Sequence, residues 1–243
     1  MGNRENYKQA YYYFLEANKF ADNYKDVASK LEESFNLSIL KVITDLKPVQ
    51  SRVYDLSADV FYNEVEKTLQ QIEQNEFIRF FTLEEAEKMN IKNPDQLLKI
   101  NFDDFIVGET HTKERVEKMK SDTVKVGQIT LERGGKKDVY DVVFADVTIS
   151  RMEVISKGII HLNISQPDFG NKAILNEDFT GQYVWYNEWG SFNGDERALT
   201  NDQLKICNQK NIPPIPPQQM FVEFTKPIHA NLSNRLRSFY NGY

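Results

Sequence analysis

Residues 5–20 set Tyr7, Ala10, Tyr11, Phe14, Ala17 and Phe20 at steps of three and four, which gathers them on one face of a helix. The next stretch repeats the step with Tyr24, Val27, Ala28, Leu31 and Phe35. A short polar turn separates the two runs, so residues 1–37 are expected to form a helical hairpin. From Ser38 the rhythm changes. "SILKVITDLKPV" carries the β-branched content of a strand, which Pro48 ends. Residues 57–74 return to helical spacing with Phe61, Val65, Leu69 and Ile72, and Ser57 stands where an N-cap belongs. "FIRFF" at 77–81 is again strand-like. Thr82 with Glu85 then makes a capping box, and Asn93, Pro94 and Gln96 announce another short helical turn.

The second half of the chain alternates as strands do. "FDDFIVGETHTKERVEKMK", 102–120, begins as a buried strand and grows more polar along its length, as a strand does when it runs out beyond a core. Residues 123–154 read as two strands joined at Gly134-Gly135, and 156–186 as another pair joined near Pro167 to Gly170. A final stretch places Phe221, Phe224, Ile228, Leu232, Leu236 and Phe239 at helical spacing, with Pro227 kinking it or marking a fresh start. The expected class is α+β: an amino-terminal helical hairpin packed on a mixed, mainly antiparallel sheet with two or three covering helices. The expected division is 1–37 and 38–243, the second part carrying an aromatic insertion at 186–217.

The alternation of alanines with rings in the hairpin resembles the tetratricopeptide pattern, with Ala21 near the place where that family often has proline. Such a unit needs neighbours to bury its face, which implies a longer repeat array before Met1. An ordinary hairpin packed on the following domain needs none, and both readings make these rings packing residues. For 38–240 the order of elements resembles the α/β domain of the envelope lipoproteins of the CsgG, TolB amino-terminal and LpoB type. The segments that carry this are "LKVITDLKPV", "FYNEVEKTLQQI", "FIRFF", "DDFIVGETH" with Gly108 at the family's strand glycine, and the hairpin segment 144–174 with its turn at Pro167–Gly170, before the last helix. The resemblance implies a periplasmic, outer-membrane-anchored domain whose partners are other envelope proteins, or peptidoglycan or another glycan. Pore formation is not carried over, because the family's transmembrane hairpin segments have no counterpart, and neither does 186–217 have one in the family.

Composition narrows the chemistry. The hydrophobic share is 40% and aromatics are 12%, enough for a core. Lys and Arg total 30 against 36 Asp and Glu, a net charge of -6, and no basic block tracks a phosphate backbone, so nucleic acid is not an expected partner. No apolar run approaches a membrane-spanning length. Cys207 is the only cysteine, which rules out an internal disulfide, and it reads as a small apolar filler on a helix. His111, His161 and His229 lack metal-binding spacing, so neither a metal nor a cofactor is expected. "DFGNK" at 168–172 and "GGKK" at 134–137 are read as turns, and "NIPPIPP" at 211–217 as a stiff spacer between helices.

What remains is "YNEWGSFNGDERALT", 186–200. Trp185, Tyr186, Glu188, Trp189, Phe192, Asp195 and Arg197 are the candidate partner-binding residues, presented on a loop. Three readings are open. In the first the loop binds other proteins and has no catalytic role. In the second it belongs to a carbohydrate-active enzyme or glycan-binding module, with two of Glu188, Asp195 and Glu196 opposed across a cleft and the rings stacking on sugar. In the third it covers the core, with Arg197 pinning it to Glu188 or Asp195. Thr200 and Gln203 form a second capping box for the helix that follows.

Overall fold

A computed structural model of the chain describes residues 2–20, 25–47, 49, 51, 54–167, 170 and 172–243. Its elements are α1 (Gly2–Phe20), α2 (Val27–Ser38), β1 (Leu40–Leu46), α3 (Asp59–Ile72), β2 (Ile78–Thr82), α4 (Leu83–Lys88), β3 (Gln96–Thr130), β4 (Lys136–Gln166), β5 (Lys172–Gly194), α5 (Asn201–Cys207) and α6 (Pro217–Tyr240). The five strands form one sheet in the order β2-β1-β3-β4-β5. β1 pairs in parallel with both β2 and β3. β3, β4 and β5 are joined by connections of a few residues, too short for a parallel crossover, so they run antiparallel. The fold is α+β, with helices at the amino terminus followed by a mixed sheet and further helices.

Contacts divide the chain into two compact units. The first comprises Met1–Phe105, Lys157–Gln182 and Phe221–Tyr243, and the second Ile106–Ser156 and Tyr183–Met220. The helical hairpin belongs to the first unit. There Tyr11 packs on Phe35 and Phe77 at ring distances of 5.3 and 5.6 Å, and Lys8 lies 4.9 Å over the Phe77 ring. Ala21 and Tyr24, which the repeat pattern uses, lie outside the described residues, as do Pro48, Asp168, Phe169 and Asn171.

The first unit's core follows the sequence periodicities. β1 buries Leu40, Val42, Ile43 and Thr44 and leaves none of its residues exposed, as suits a strand paired on both sides. α3 buries Phe61, Val65 and Leu69, and α6 buries Phe224, Ile228, Leu232 and Leu236. α6 runs unbroken through Pro227. A buried hydroxyl pair ties α3 to α6, with Thr68 Oγ1 and Ser233 Oγ 3.0 Å apart and His229 Nε2 2.9 Å beyond. α6 approaches β5 so closely that a Cβ on Gly181 would stand 2.2 Å from the carbonyl oxygen of Phe224 and 2.7 Å from Ile228 Cγ1. Glycine is required there for space.

Four local expectations are corrected. Asn93, Pro94 and Gln96 do not form a helical turn. Asp95 instead accepts from the Lys41 backbone N–H through Oδ2 at 2.8 Å and donates its own N–H to the Lys41 carbonyl, which leads Gln96 straight into β3. The stretches 102–120 and 123–131 are one strand, because the ladder continues past Thr123, whose φ of 62° absorbs the irregularity. Residues 136–166 are likewise one strand, with no break at 155. α3 starts at Asp59, and Ser57 serves it by accepting the Asp59 N–H at 3.1 Å.

Candidate functional site

The seven candidate residues all lie in the second unit, but they are not on one loop. β5 extends to Gly194, so Trp185, Tyr186, Glu188, Trp189 and Phe192 are strand residues and only Asp195 and Arg197 follow it. The ladder with β4 does not stop where the sequence turns polar, and the Asp195 N–H still donates to the Phe144 carbonyl at 2.9 Å. Strand residues alternate between faces. Tyr186 and Glu188 therefore share one face, while Trp185 and Trp189 share the other, where both are half-buried.

On the first of these faces β4 supplies a residue the sequence did not single out. Arg151 Nη1 pairs with Glu188 at 3.2 Å, Arg151 Nη2 pairs with Glu153 at 2.7 Å, and the guanidinium lies 4.4 Å over the Tyr186 ring. The two carboxylates, Glu188 first, raise the Arg151 pKa above its ordinary value. The cation is held from three sides, and Tyr186 remains 58% exposed. The signal for this cluster was in the sequence: "RME" sets Arg151 and Glu153 two apart, on one face of a strand, directly after the apolar positions Val143, Ala145, Val147 and Ile149 of that face. It needed the β4–β5 register to bring Glu188 opposite.

The segment after β5 covers the second unit's own core. Val143, Ala145, Val147 and Ile149 of β4 are buried together with Ala198 and Leu199, and Leu204, Ile206 and Cys207 of α5 pack against them. A Cβ on Gly190 would meet Cys207 Sγ at 3.3 Å, so α5 lies directly on β5. The Thr200–Gln203 capping box forms as read, and the same Gln203 donates to Glu117 on β3 at 2.8 Å. Arg197 pins the segment through Asp195, donating from Nε to Oδ1 at 2.8 Å, and through the Lys125 carbonyl at 2.7 Å. Of the two acids proposed as its partner, Asp195 is the one used. Burial raises the Cys207 thiol, which suits the packing role.

Two of the three acids offered for sugar chemistry, Glu188 and Asp195, are thus committed to different tasks. Glu188 closes on Arg151. Asp195 is held at about 2, first by the Arg197 side chain and then by the Arg197 backbone N–H. A general acid needs the opposite shift, because it must keep its proton near neutral pH. The three histidines are dispersed: His111 lies 3.5 Å from Glu109, His161 2.5 Å from Asp178, and His229 beside Ser233. Among the described residues no group of three or more His, Cys, Asp or Glu is arranged around a metal-sized space.

The first unit also has a cleft of about 250 Å³ beside the carboxyl ends of β1 and β2, lined by Leu46, Leu69 and Phe80 together with Glu66, Glu73 and Glu85. Two of these acids serve the strand edge. Glu73 accepts the Phe80 N–H at 2.6 Å, Glu85 accepts the Thr82 N–H at 2.9 Å, and Arg79 donates to the Ile78 carbonyl at 2.7 Å. An edge strand supplied in this way is a poor template for another strand. Compared with known proteins, the chain matches no protein-family profile and no curated sequence.

Proposed function

We propose that this chain is a non-enzymatic binding or assembly domain of the cell envelope, periplasmic and carried by a lipoprotein anchored in the outer membrane, that works through contacts with other proteins. The observation that carries the binding part is the exposed Tyr186 ring stacked on a clamped Arg151. Tyrosine and arginine dominate the energetic centres of protein interfaces, and a ring whose neighbour is already fixed loses little conformational freedom when a partner arrives. The envelope part rests on the order of elements: strand, helix, strand, short helix, a strand with Gly108 at a φ of 81°, then hairpins and a last helix. The aromatic hairpin at the amino terminus extends the same reading to a tetratricopeptide-like array. Against proton transfer stands the closure of Glu188 and Asp195 by separate guanidinium groups.

The test is quantitative capture from envelope extracts with wild type, Tyr186→Phe and Tyr186→Ala. Partners held by the first two and lost from Tyr186→Ala, while all three remain folded, are the expected result. An identical partner set for all three overturns the reading, and so does turnover in a glycan screen that Asp195→Asn abolishes.

A further inference from the structure

Beyond Gly194 the strand β5 is finished, and β4 continues toward its hairpin with β3 alone. The connection is tight. Leu131 donates its N–H to the Gly135 carbonyl at 2.7 Å, Gly134 donates to Leu131 at 2.9 Å, and Gly134 takes a φ of 84°. A two-stranded ribbon is marginal in water on its own, and this one exposes apolar side chains: Val126 is 44% exposed, Ile129 51%, Leu131 47% and Tyr140 57%. Strand alternation sets Val126 on the face opposite Ile129 and Leu131, so the tip carries apolar side chains on both faces, as an element that enters a surface end-first does.

Its charges select the partner. Lys125 and Asp138 neutralise each other at 2.7 Å. Arg133, Lys136 and Lys137 have no ion-pair partner among the described residues, and Glu132 is the one unpaired acid between Leu131 and Lys137. The tip is therefore cationic on a chain whose net charge is -6. A protein interface usually needs some 20–30 residues a side, on the order of 800 Å² per partner, and a narrow convex tip supplies far less. A flat anionic lipid surface asks for what is present: a few apolar side chains, a tyrosine with one wet end, and long cationic side chains that reach the headgroups.

We propose that the tip of the β3–β4 hairpin, Val126 to Tyr140, docks on an anionic lipid surface. The proposal does not involve Tyr186 or Arg151, so it stands or falls separately from the protein-binding reading. The experiment is co-sedimentation of the full chain with vesicles of phosphatidylglycerol and phosphatidylcholine mixed equally, against vesicles of phosphatidylcholine alone. Wild type should sediment with the mixed vesicles and remain in solution with the neutral ones. Lys136→Gln with Lys137→Gln should lower partitioning about thirtyfold, roughly fivefold for each cation removed, and Ile129→Ser with Leu131→Ser should also release the protein. Both pairs are exposed, and their melting curves should match wild type. Wild type left in solution, equal binding to both vesicles, or unchanged binding by the charge variant overturns the proposal. So does a chain that ignores vesicles but forms a dimer that Ile129→Ser with Leu131→Ser dissociates.

Discussion

Leu199→Ala tests what the segment after β5 does for the second unit. Leu199 is 9% exposed and packs with Val143, Ala145, Val147 and Ile149. Truncating a buried leucine costs about 2–5 kcal/mol, more where the surroundings cannot relax. The cluster is small and Leu199 sits at its rim, so neighbours can close part of the gap. The expected loss is about 2.5 kcal/mol. For a chain of this size that lowers the melting temperature by about 5–10 °C. Urea titration should show the midpoint falling at constant slope, and hydrogen exchange should place the lost protection in 143–149 of β4. A loss under about 0.5 kcal/mol would mean that the segment rests on the strands without supplying core. Tyr186→Ala in the same titration should cost no more than about 1 kcal/mol. Equal costs for the two variants would make Tyr186 a packing residue and remove the observation on which the binding proposal rests.

Gly181→Ala should destabilise the first unit by about 2–3 kcal/mol, since α6 must shift to admit a Cβ 2.2 Å from its backbone. A neutral result in urea titration would mean that α6 packs more loosely than described. Thr200→Ala removes one half of the α5 capping box and should cost about 1 kcal/mol, measured the same way, with no loss showing that α5 is held by its contacts alone. The Asp195 carboxyl, followed by carbon NMR, should titrate near 2 instead of the ordinary 3.8, and Arg197→Met should return it toward that value. The folded-state value lies below the unfolded one. Its stabilising contribution is therefore complete above about pH 4 and lost as pH falls through 2. An unshifted midpoint with Arg197 intact would show that the pair is open in solution.

The longer helices and the two capping boxes were legible because their signals are local, whereas the helical turn expected at Asn93 to Gln96 and the N-cap expected at Ser57 rested on single residues. Phe61 to Leu69 in α3, Phe224 to Leu236 in α6, and the boxes at Thr82 and Thr200 each need only residues within one or two turns. Strand lengths were not legible, because a strand ends where its partner ends. Nothing inside 186–194 says that β4 continues to offer carbonyls as far as Phe144. The alternation that separates neighbouring strand residues splits Trp185 and Trp189 from Tyr186 and Glu188. Assigning a loop to these residues concealed it. The partner of Glu188 was hidden for the same reason, since Arg151 lies 37 positions away and only the register brings the two together.

The burial rhythm of β4 explains why a charged cluster stands at Arg151. Val143, Ala145, Val147 and Ile149 are buried at odd positions, whereas Val154 and Ser156 are buried at even ones, Ser156 with its hydroxyl toward Met220 Sδ at 3.5 Å. Between them Arg151, Met152 and Glu153 are all half-buried, taken fully by neither rhythm. A charged side chain is placed at least cost where no cover claims the position, and the carboxylates of Glu153 and Glu188 then satisfy the guanidinium. That accounts for the ions and leaves the ring unexplained. An arginine with two carboxylate partners gains only about 0.5–1 kcal/mol from an exposed tyrosine stacked on it. Tyr186 is thus the member of the cluster that folding does not require, which is why the decisive substitution is made there and not at Glu188.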